Sequence, residues 1–494
     1  MSTTQAGGKA PAIEVHSVGF VPHDQRHGSP RNLFTLWFGA NAMGVTLLTG
    51  SLAVFSKMSL FWSAVAIIAG TLIGAVFVAY HSAQGPTLGL PQMVQSRAQF
   101  GYYGANLPLI AVIAMYLGFF GGGAILMGSV FAELFGGGTE WGILLGGGLA
   151  VVLVAFGYRT LHTVGKVITP VFIVVFAIFT IVAITNWHGV SPDVEIVEGG
   201  FSPTGFFFVL GIVAAYMITY GPYVADYSRY LPADTKAAAT FWYTYGGISL
   251  AGIWIFVLGA ALQYAYSSLG IVEATATATM AGTAGPLVRV LVLLALLMGL
   301  INISALNIYG ASISAMTIAT TFMRAHTPSR AMRLTFMLAI GVIGTLGAVS
   351  LSENLVLAYE NFVFFLIAFL IPWSAINLVD FYLVRKGHYD VGDLFTTTGR
   401  YGGLNWIGIV SYLIGCAALS PFISTTFYTG PLAAALGFDI SWVVGLVVPG
   451  ALYAFLWKLK GLPIEADNPA LAGIGTNIGA IDNVDAGDGI KETI

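Results

Sequence analysis

Long apolar segments alternate with short polar ones along almost the whole chain. We draw twelve apolar segments, at residues 32–54, 60–80, 106–135, 141–157, 163–187, 204–226, 240–266, 285–322, 333–351, 356–384, 403–424 and 438–459. A helix needs roughly 20 apolar residues to cross a bilayer, so the pattern predicts an all-α integral membrane protein with twelve transmembrane helices. The third and eighth segments exceed one straight crossing and are expected to tilt or to extend into loops.

The first and sixth segments carry small and polar residues where an ordinary membrane helix would be apolar. In NLFTLWFGANAMGVTLLTGS, Gly39, Asn41 and Gly44 fall in the middle, and a glycine lowers helix propensity by about 1 kcal/mol relative to alanine. In GIVAAYMITYGPYVADYSRY, Gly221 and Pro222 follow a run of small residues, and proline kinks a helix. Two interrupted helices five segments apart are typical of a transporter built from two inverted five-helix repeats. Close packing of continuous helices through small residues is the alternative.

The same pattern divides the chain into five parts. They are a polar N-terminal tail (1–30), a first repeat (31–190), an inverted second repeat (200–390), two additional C-terminal helices (400–460) and a polar C-terminal tail (461–494). Basic residues flank the segments almost entirely on one side, and only Lys57 and Arg289 lie near the other. Because cytoplasmic loops carry an excess of Lys and Arg, both termini are predicted to be cytoplasmic and the protein to lie in the plasma (inner) membrane.

Composition narrows the function classes. The chain is 57% hydrophobic and 8% charged, whereas soluble proteins have about 25% charged residues. One cysteine excludes an internal disulfide, and no apolar core with a cleavage site precedes the first segment. There is no H-E-x-x-H cluster and no P-loop, so a membrane-embedded enzyme and a primary pump are disfavoured, and a channel remains an alternative to a carrier. The sequence predicts a lipid bilayer and a small molecule as partners, no nucleic acid and no cofactor.

Five stretches resemble the nucleobase:cation symporter-1 family, the purine–cytosine permeases. They are RHGSPRNLFTLWFGAN (26–41), QSRAQFGYYGANLP (95–108), ADYSRYLP (225–232), IPWSAINLVDFYLVRKGHYD (371–390) and YGGLNWIG (401–408). The resemblance implies the leucine-transporter-like fold of two inverted repeats, alternating access, and import of a nucleobase or related heterocycle driven by sodium or protons. An amino-acid or amine carrier of the same fold is the second transporter hypothesis, although no charged partner for such a ligand is evident.

The candidate substrate residues are aromatic and amide side chains. A nucleobase is flat, and stacking on an aromatic face contributes about 1–3 kcal/mol per base in other proteins. The resemblance implies that Phe119 takes the place of a stacking tryptophan and that Tyr216 is the second aromatic. It also implies that Asn307 binds the substrate edge, since an amide can donate and accept at once. Asn41 and Tyr220 complete the candidate set.

A coupling sodium ion would need oxygen ligands, as hard cations prefer them. The carbonyls of Ala40 and Met43 in the interrupted first segment are candidates, and the resemblance adds Asn302 and Ser304 of the eighth. Asn302 and Asn307 could exchange roles. No Asp, Glu or His lies at mid-depth in the first, third, sixth or eighth segment, which favours sodium over protons.

We expect the charged residues at the ends of segments to have structural or gating roles. Asp226 and Arg229, three residues apart near the end of the sixth segment, are expected to form a charge pair or a gate. Asp380 is expected to hold the loop after the tenth segment. His81 follows the second segment, and a histidine at a membrane interface is expected to be solvated.

Overall fold

The computed structural model describes residues 19–185, 199–280, 285–323, 329–425 and 428–461. The predicted tails therefore fall mostly outside the described residues, as does part of the junction between the two predicted repeats. Helices make up nearly all of the described chain, with a β-bridge between Ser424 and Thr429. The all-α prediction is confirmed, whereas the boundaries of the repeats stay a prediction.

The helices follow the predicted apolar segments. In chain order they are α1 (Arg31–Asn41), α2 (Gly44–Ser51), α3 (Leu60–Leu88), α4 (Gln92–Gln95), α5 (Arg97–Phe100), α6 (Asn106–Phe135), α7 (Thr139–Ala155), α8 (Tyr158–Thr185), α9 (Pro203–Ile218), α10 (Gly221–Ser228), α11 (Ala237–Ala265), α12 (Ile271–Met280), α13 (Gly285–Phe322), α14 (Arg330–Leu351), α15 (Leu355–Val379), α16 (Trp406–Ala418), α17 (Pro431–Leu436) and α18 (Ser441–Lys460). Each predicted segment contains at least one of these helices. The short helices α4, α5, α12 and α17 lie in stretches that we expected to be loops.

Only some of these helices reach membrane-spanning length. Among the described residues, eight helices are long and apolar enough to cross a membrane, or nine when the bent pair α1–α2 counts as one. One of the eight covers Ala331–Val384 and contains both α14 and α15. Helices α7 and α16 are apolar but shorter. The membrane protein class is confirmed, and the count of twelve crossings stays a prediction.

The predicted interruption of the first segment is present. Helix α1 ends at Asn41 and α2 begins at Gly44, and the two halves are bent by 60°. Met43 between them has an extended backbone, with φ −153° and ψ 166°. Helical hydrogen bonding therefore stops in the middle of this segment.

The sixth segment is interrupted more mildly than the first. Helix α9 ends at Ile218 and α10 begins at Gly221, yet together they form one apolar span of 26 residues. Pro222 has no N–H to donate to the carbonyl of Ile218, and the N–H of Tyr220 donates three residues back to Met217 at 3.2 Å. The hydrogen bonding is interrupted here while the direction of the chain is kept.

The helices pack in two groups. Helices α1, α2, α3, α9, α10 and α11 form the first group, in which α11 packs against α1, α2 and α3 and α9 packs against α3. Helices α6, α7, α13 and α14 form the second, in which α13 packs against α6 and α7. Helix α15 contacts both groups through α6 and α9, and α18 covers it together with α16. The space between the two groups holds the candidate site.

Helices α2 and α11 approach each other closely at two glycines. A Cβ atom added at Gly50 would overlap the carbonyl oxygen of Phe256, and one added at Gly259 would overlap the carbonyl oxygen of Leu47. Small residues permit such contacts between membrane helices, where van der Waals packing supplies much of the attraction. The short half-helix α2 is thereby held against a full-length helix.

Replacing Gly259 with alanine should push α2 away from α11 and destabilise the protein. Overpacking of this kind costs about 1–3 kcal/mol, so the unfolding temperature of the detergent-purified protein should fall by several degrees. Gly148→Ala on α7 is the matched control, because nothing lies within 4 Å of the added Cβ. Equal unfolding temperatures for the two variants would contradict the close contact.

Candidate functional site

A cavity of about 1810 Å³ lies between the two helix groups. This volume exceeds the roughly 300–1,000 Å³ of an ordinary small-molecule pocket, because the cavity includes a wide vestibule. The candidate residues that line it are Ala40, Met43, Tyr220, Asn302 and Asn307. Residues predicted from three separate segments therefore meet at one cavity.

The cavity opens where the N-terminal segment crosses the protein. Gln25 and His27 are exposed and line this mouth. Arg26 anchors the segment: its Nη1 donates to the carbonyl oxygen of Pro86 at 2.7 Å and its Nε to that of Val21 at 3.0 Å. Burial lowers the pKa of the Arg26 guanidinium from its ordinary value. The edge of the mouth is held in place by these bonds.

Two pairs of hydroxyl groups close the end of the site away from the mouth. Thr46 Oγ1 lies 2.9 Å from the hydroxyl oxygen of Tyr216, and Thr49 Oγ1 lies 2.8 Å from that of Tyr359. All four side chains are buried. Because both threonines belong to α2, this half-helix is tied to α9 and to α15 at the closed end.

Phe119 and Tyr216, predicted to stack on a substrate, lie together at this closed end. Their ring centroids are 5.5 Å apart with the rings almost perpendicular, and Phe119 meets Phe362 in the same way at 5.0 Å. Neither belongs to the described residues that line the cavity. The structure brings the two predicted aromatic rings into contact, and their role toward a substrate stays a prediction.

Asn41 is the polar centre of the interrupted helices. Its Nδ2 donates to the carbonyl oxygen of Ile248 at 3.0 Å and lies 3.6 Å from the sulfur of Met217. Its Oδ1 accepts hydrogen bonds from the hydroxyl of Tyr220 at 2.9 Å and from Thr46 Oγ1 at 3.2 Å. We expected Asn41 and Tyr220 to contact substrate, but in this conformation their polar atoms are engaged within the protein. The geometry favours a role in joining the two interruptions.

Helix α13 carries buried polar atoms without a hydrogen-bond partner among the described residues. They are Asn302 Oδ1, Ser304 Oγ and Asn307 Nδ2. Asn302 and Asn307 line the cavity, whereas Ser304 lies against Gly123 of α6, where an added Cβ would come within 3.0 Å of its Oγ. A buried polar atom left without a partner costs roughly 1–3 kcal/mol. These atoms are therefore candidates for contacts with a ligand or an ion.

The predicted ion-binding residues lie on two sides of the cavity. Ala40 and Met43 line it from the interruption in the first segment, and Asn302 lines it from α13. The Ala40 carbonyl accepts a long hydrogen bond of 3.4 Å from the Tyr220 hydroxyl, and the Met43 carbonyl accepts one of 3.2 Å from the N–H of Leu47. A carbonyl oxygen has two lone pairs, so each can also face a cation.

Asp226 and Arg229 line the cavity and fasten α10 to its surroundings. Asp226 Oδ1 accepts a hydrogen bond from the backbone N–H of Gln92 on α4 at 2.7 Å. Arg229 Nη1 donates to the carbonyl oxygen of Gly19 in the N-terminal segment at 3.1 Å. Their gating role stays a prediction, and their contacts connect α10 to the rim of the mouth.

Asp380 lies in a buried ion-pair network outside the cavity. Its carboxylate accepts hydrogen bonds from Arg385 Nε at 3.1 Å and from the hydroxyls of Tyr389 at 2.5 Å and Tyr453 at 2.7 Å. Asp380 is fully buried, and removing the partner of a buried charge is strongly destabilising. The network joins the end of α15 to α18, and none of its four residues lines the cavity.

The expectation of a solvated His81 is wrong. Its side chain is fully buried, and its ring stacks on Trp373 with centroids 4.9 Å apart. One ring nitrogen lies 2.8 Å from Ser374 Oγ and the other 3.2 Å from Gln92 Nε2. The second predicted segment ends at residue 80, but α3 continues to Leu88, so His81 lies inside a packed helix.

Several aromatic residues that we did not assign to the site also line the cavity, and three of them lie close to assigned residues. These three are Trp37, Tyr116 and Tyr223. The Trp37 ring lies edge-to-face with Tyr220 at 5.9 Å, and the rings of Tyr116 and Tyr223 are 5.8 Å apart. Each lies one helical turn from a residue predicted for the site, and residues at this spacing share a helix face. That spacing is the signal that could have identified them.

The chain matches known permeases over most of its length. Residues 20–445 match the family described as "Permease for cytosine/purines, uracil, thiamine, allantoin". The YxlA protein of Bacillus subtilis, whose name assigns it to the purine-cytosine permeases, is 40% identical over 447 residues, which cover 90% of this chain and 96% of that protein. The cytosine permease of Escherichia coli is 24% identical over 402 residues, covering 81% and 88%.

The fold matches a solved transporter, Mhp1, of the nucleobase-cation-symport-1 family. Its closed conformation with bromovinylhydantoin bound superposes with a TM-score of 0.69 at 20% identity, covering 91% of this chain and 96% of that one. Its inward facing conformation gives a TM-score of 0.70, covering 96% and 100%. At this level of identity the match shows that the two chains share a fold.

Replacing Asn41 with alanine should separate the two interrupted helices. The carbonyl of Ile248 and the hydroxyl of Tyr220 would lose this partner while buried, at roughly 1–3 kcal/mol each. We expect a clear fall in the unfolding temperature in detergent, whereas Asn32→Ala, at an exposed position of the same helix, should leave it unchanged. An Asn41→Ala protein as stable as the wild type would show that this amide does not hold the interruptions together.

Proposed function

The chain belongs to the family of permeases for cytosine/purines, uracil, thiamine and allantoin, and from this premise we propose that it imports a nucleobase or a related small heterocycle by cation symport. Membership makes the protein a membrane transporter and not an enzyme. The family's description names several heterocycles, and an uptake panel distinguishes among them.

The lining of the cavity supports a flat, uncharged ligand. Tyr116, Tyr220 and Tyr223 provide aromatic faces, and the Nδ2 of Asn307 has no partner among the described residues. Selectivity for such a ligand comes from hydrogen bonds that a wrong molecule would leave unmade. The Asn307 Nδ2, without a partner among the described residues, in a cavity lined by these tyrosines is the observation that carries the proposal.

An amino-acid or amine carrier of the same fold is the alternative. Such a ligand would need a charged partner deep in the cavity. The charged residues that line the cavity are Lys166, Asp226 and Arg229; Lys166 is exposed, and Asp226 is engaged by the backbone of Gln92. The neutral central lining favours a nucleobase.

In the proposed mechanism the structure is an inward-open state of alternating access. Twelve crossings with both termini in the cytoplasm would make the cavity open to the cytoplasm. Access from the outside then requires the Thr46–Tyr216 and Thr49–Tyr359 hydroxyl pairs to separate. Their separation would also part Phe119 from Tyr216 and admit a heterocycle to these rings. Inverted-repeat transporters alternate by moving one helix group against the other around such a site.

We assign stacking to Phe119 and Tyr216 and recognition of the heterocycle edge to Asn307. The carbonyls of Ala40 and Met43, with Asn302 and Ser304, are the proposed sodium ligands. The oxygens of Asn302 and Ser304 have no hydrogen-bond partner among the described residues, as a cation site without its ion would require. Sodium is preferred to protons because the proposed site contains no carboxylate or imidazole.

Uptake of radiolabelled bases into proteoliposomes tests the proposal. A panel of cytosine, adenine, hypoxanthine, uracil, allantoin and hydantoin should include at least one substrate whose uptake saturates and rises with an inward sodium gradient. Phe119→Ala and Asn307→Ala should lower its apparent affinity about ten- to hundredfold, because each removes about 1–3 kcal/mol of stacking or edge contacts.

The controls separate the parts of the proposal. Phe61→Ala, at an exposed position on α3, should transport as the wild type does, and all variants should insert equally into the membrane. Uptake of amino acids or amines instead of bases would overturn the substrate class. Uptake driven by a proton gradient alone would overturn only the choice of sodium, and normal transport by both site variants would overturn the site.

A further inference from the structure

Two tyrosines outside the assigned stacking pair of Phe119 and Tyr216 meet at the wall of the cavity. Tyr116 belongs to α6 and Tyr223 to α10, and both line the cavity. Their ring centroids are 5.8 Å apart and the rings are inclined by 35°. Tyr223 also packs against Trp37, with centroids 6.2 Å apart. The two tyrosines thus form an aromatic corner that connects the two helix groups.

The hydroxyl groups of these two tyrosines differ in their hydrogen bonding from those of Tyr216, Tyr220 and Tyr359. Among the described residues neither Tyr116 nor Tyr223 makes a side-chain hydrogen bond. By contrast, the hydroxyls of Tyr216, Tyr220 and Tyr359 are bonded to Thr46, Asn41 and Thr49. A phenol in a largely apolar cavity needs a hydrogen-bond partner to offset its desolvation. A ligand in the cavity can be that partner.

The position of Tyr116 is imposed by the helix opposite. A Cβ atom added at Gly310 of α13 would overlap the Cζ of Tyr116, so α13 packs directly on the phenol end of the ring. Asn307 lies three residues before Gly310, on the same face of α13. The Tyr116 hydroxyl is therefore presented on the side of the cavity that carries the Asn307 amide.

This corner repeats the proposed stacking site one to two helical turns nearer the mouth. Tyr116 lies three residues before Phe119 on α6, and Tyr223 follows Tyr216 by two turns along the sixth segment. Residues three or four apart share a helix face. The rings of Phe119 and Tyr216 are in contact, with centroids 5.5 Å apart, and neither residue lines the cavity. Tyr116 and Tyr223, by contrast, border its open space.

We propose that Tyr116 and Tyr223 form a second binding subsite on the open side, which holds the heterocycle between the closed aromatic pair and the mouth. Each ring offers a face for stacking, and each hydroxyl can donate to a carbonyl oxygen or ring nitrogen or accept from a ring N–H. The subsite takes the same class of ligand as the central site, a flat uncharged heterocycle with polar edges, and rests on the proposed function. The subsite would bind substrate as it leaves for, or enters from, the compartment that the mouth faces.

Sided exchange measurements test the subsite. Tyr116→Phe and Tyr223→Phe keep the rings and remove the hydroxyls, so stability should change little. Each should raise the KM for substrate presented at the mouth side by about two- to tenfold, the range expected for one hydrogen bond. The KM for substrate presented at the closed side should stay within about twofold of the wild-type value. Substrate from that side meets the central site first, so its KM does not depend on the subsite. Tyr245→Phe, outside the cavity lining, is the matched control.

The side of the membrane that the mouth faces can be determined by thiol labelling, without relying on the predicted topology. In a Cys416→Ala background, which removes the one native cysteine, a Ser29→Cys substitution places a thiol at the mouth. An impermeant thiol reagent then reports which side of a vesicle the mouth faces. Equal increases in KM on both sides, or none on either, would overturn the subsite alone. A wild-type protein that exchanges no base would overturn the proposed function and the subsite with it.

Discussion

The hydrogen bonds of the Asn41 amide are the interactions on which this architecture depends most. Both interruptions leave backbone groups without helical partners, and inside a membrane such groups must be satisfied by the protein itself. One fully buried side chain bonds the second half of its own broken helix through Thr46, the sixth segment through Tyr220, and α11 through the carbonyl of Ile248. Because these bonds share one amide, the two interruptions are held at the same level, and the cavity forms beside them.

The asymmetry of the site follows from what surrounds this amide. On one side, α2 is tied to α9 and α15 by hydroxyl pairs and to α11 by glycine contacts. On the other side, α1 leads to an N-terminal segment that borders an open vestibule. Individual hydroxyl hydrogen bonds contribute only about 0.5–1.5 kcal/mol net. A closure built from two of them can be reversed by a ligand's binding energy, as the proposed alternating access requires.

Sequence reasoning succeeded where the physical cost is local. Glycines and an asparagine are unfavourable in a continuous membrane helix, so the interruption at Asn41 could be predicted from the first segment alone. The partner of its amide could not, because Ile248 lies 207 residues later in the chain. His81 was misjudged for the related reason that its burial is set by packing against Trp373 of a distant helix. The substrate residues came from resemblance, and Tyr116 and Tyr223 were not assigned although each shares a helix face with an assigned residue.

A structure of the protein determined by electron cryo-microscopy with a transported base bound tests the central claim most directly. We expect density for the base in contact with Phe119, Tyr216 and Asn307. We also expect that Asn41 still bonds Tyr220 and Ile248 and makes no contact with the base. Density for the base against the Asn41 amide, with the Tyr220 bond broken, would contradict the account, as would a base bound outside the space between the two helix groups.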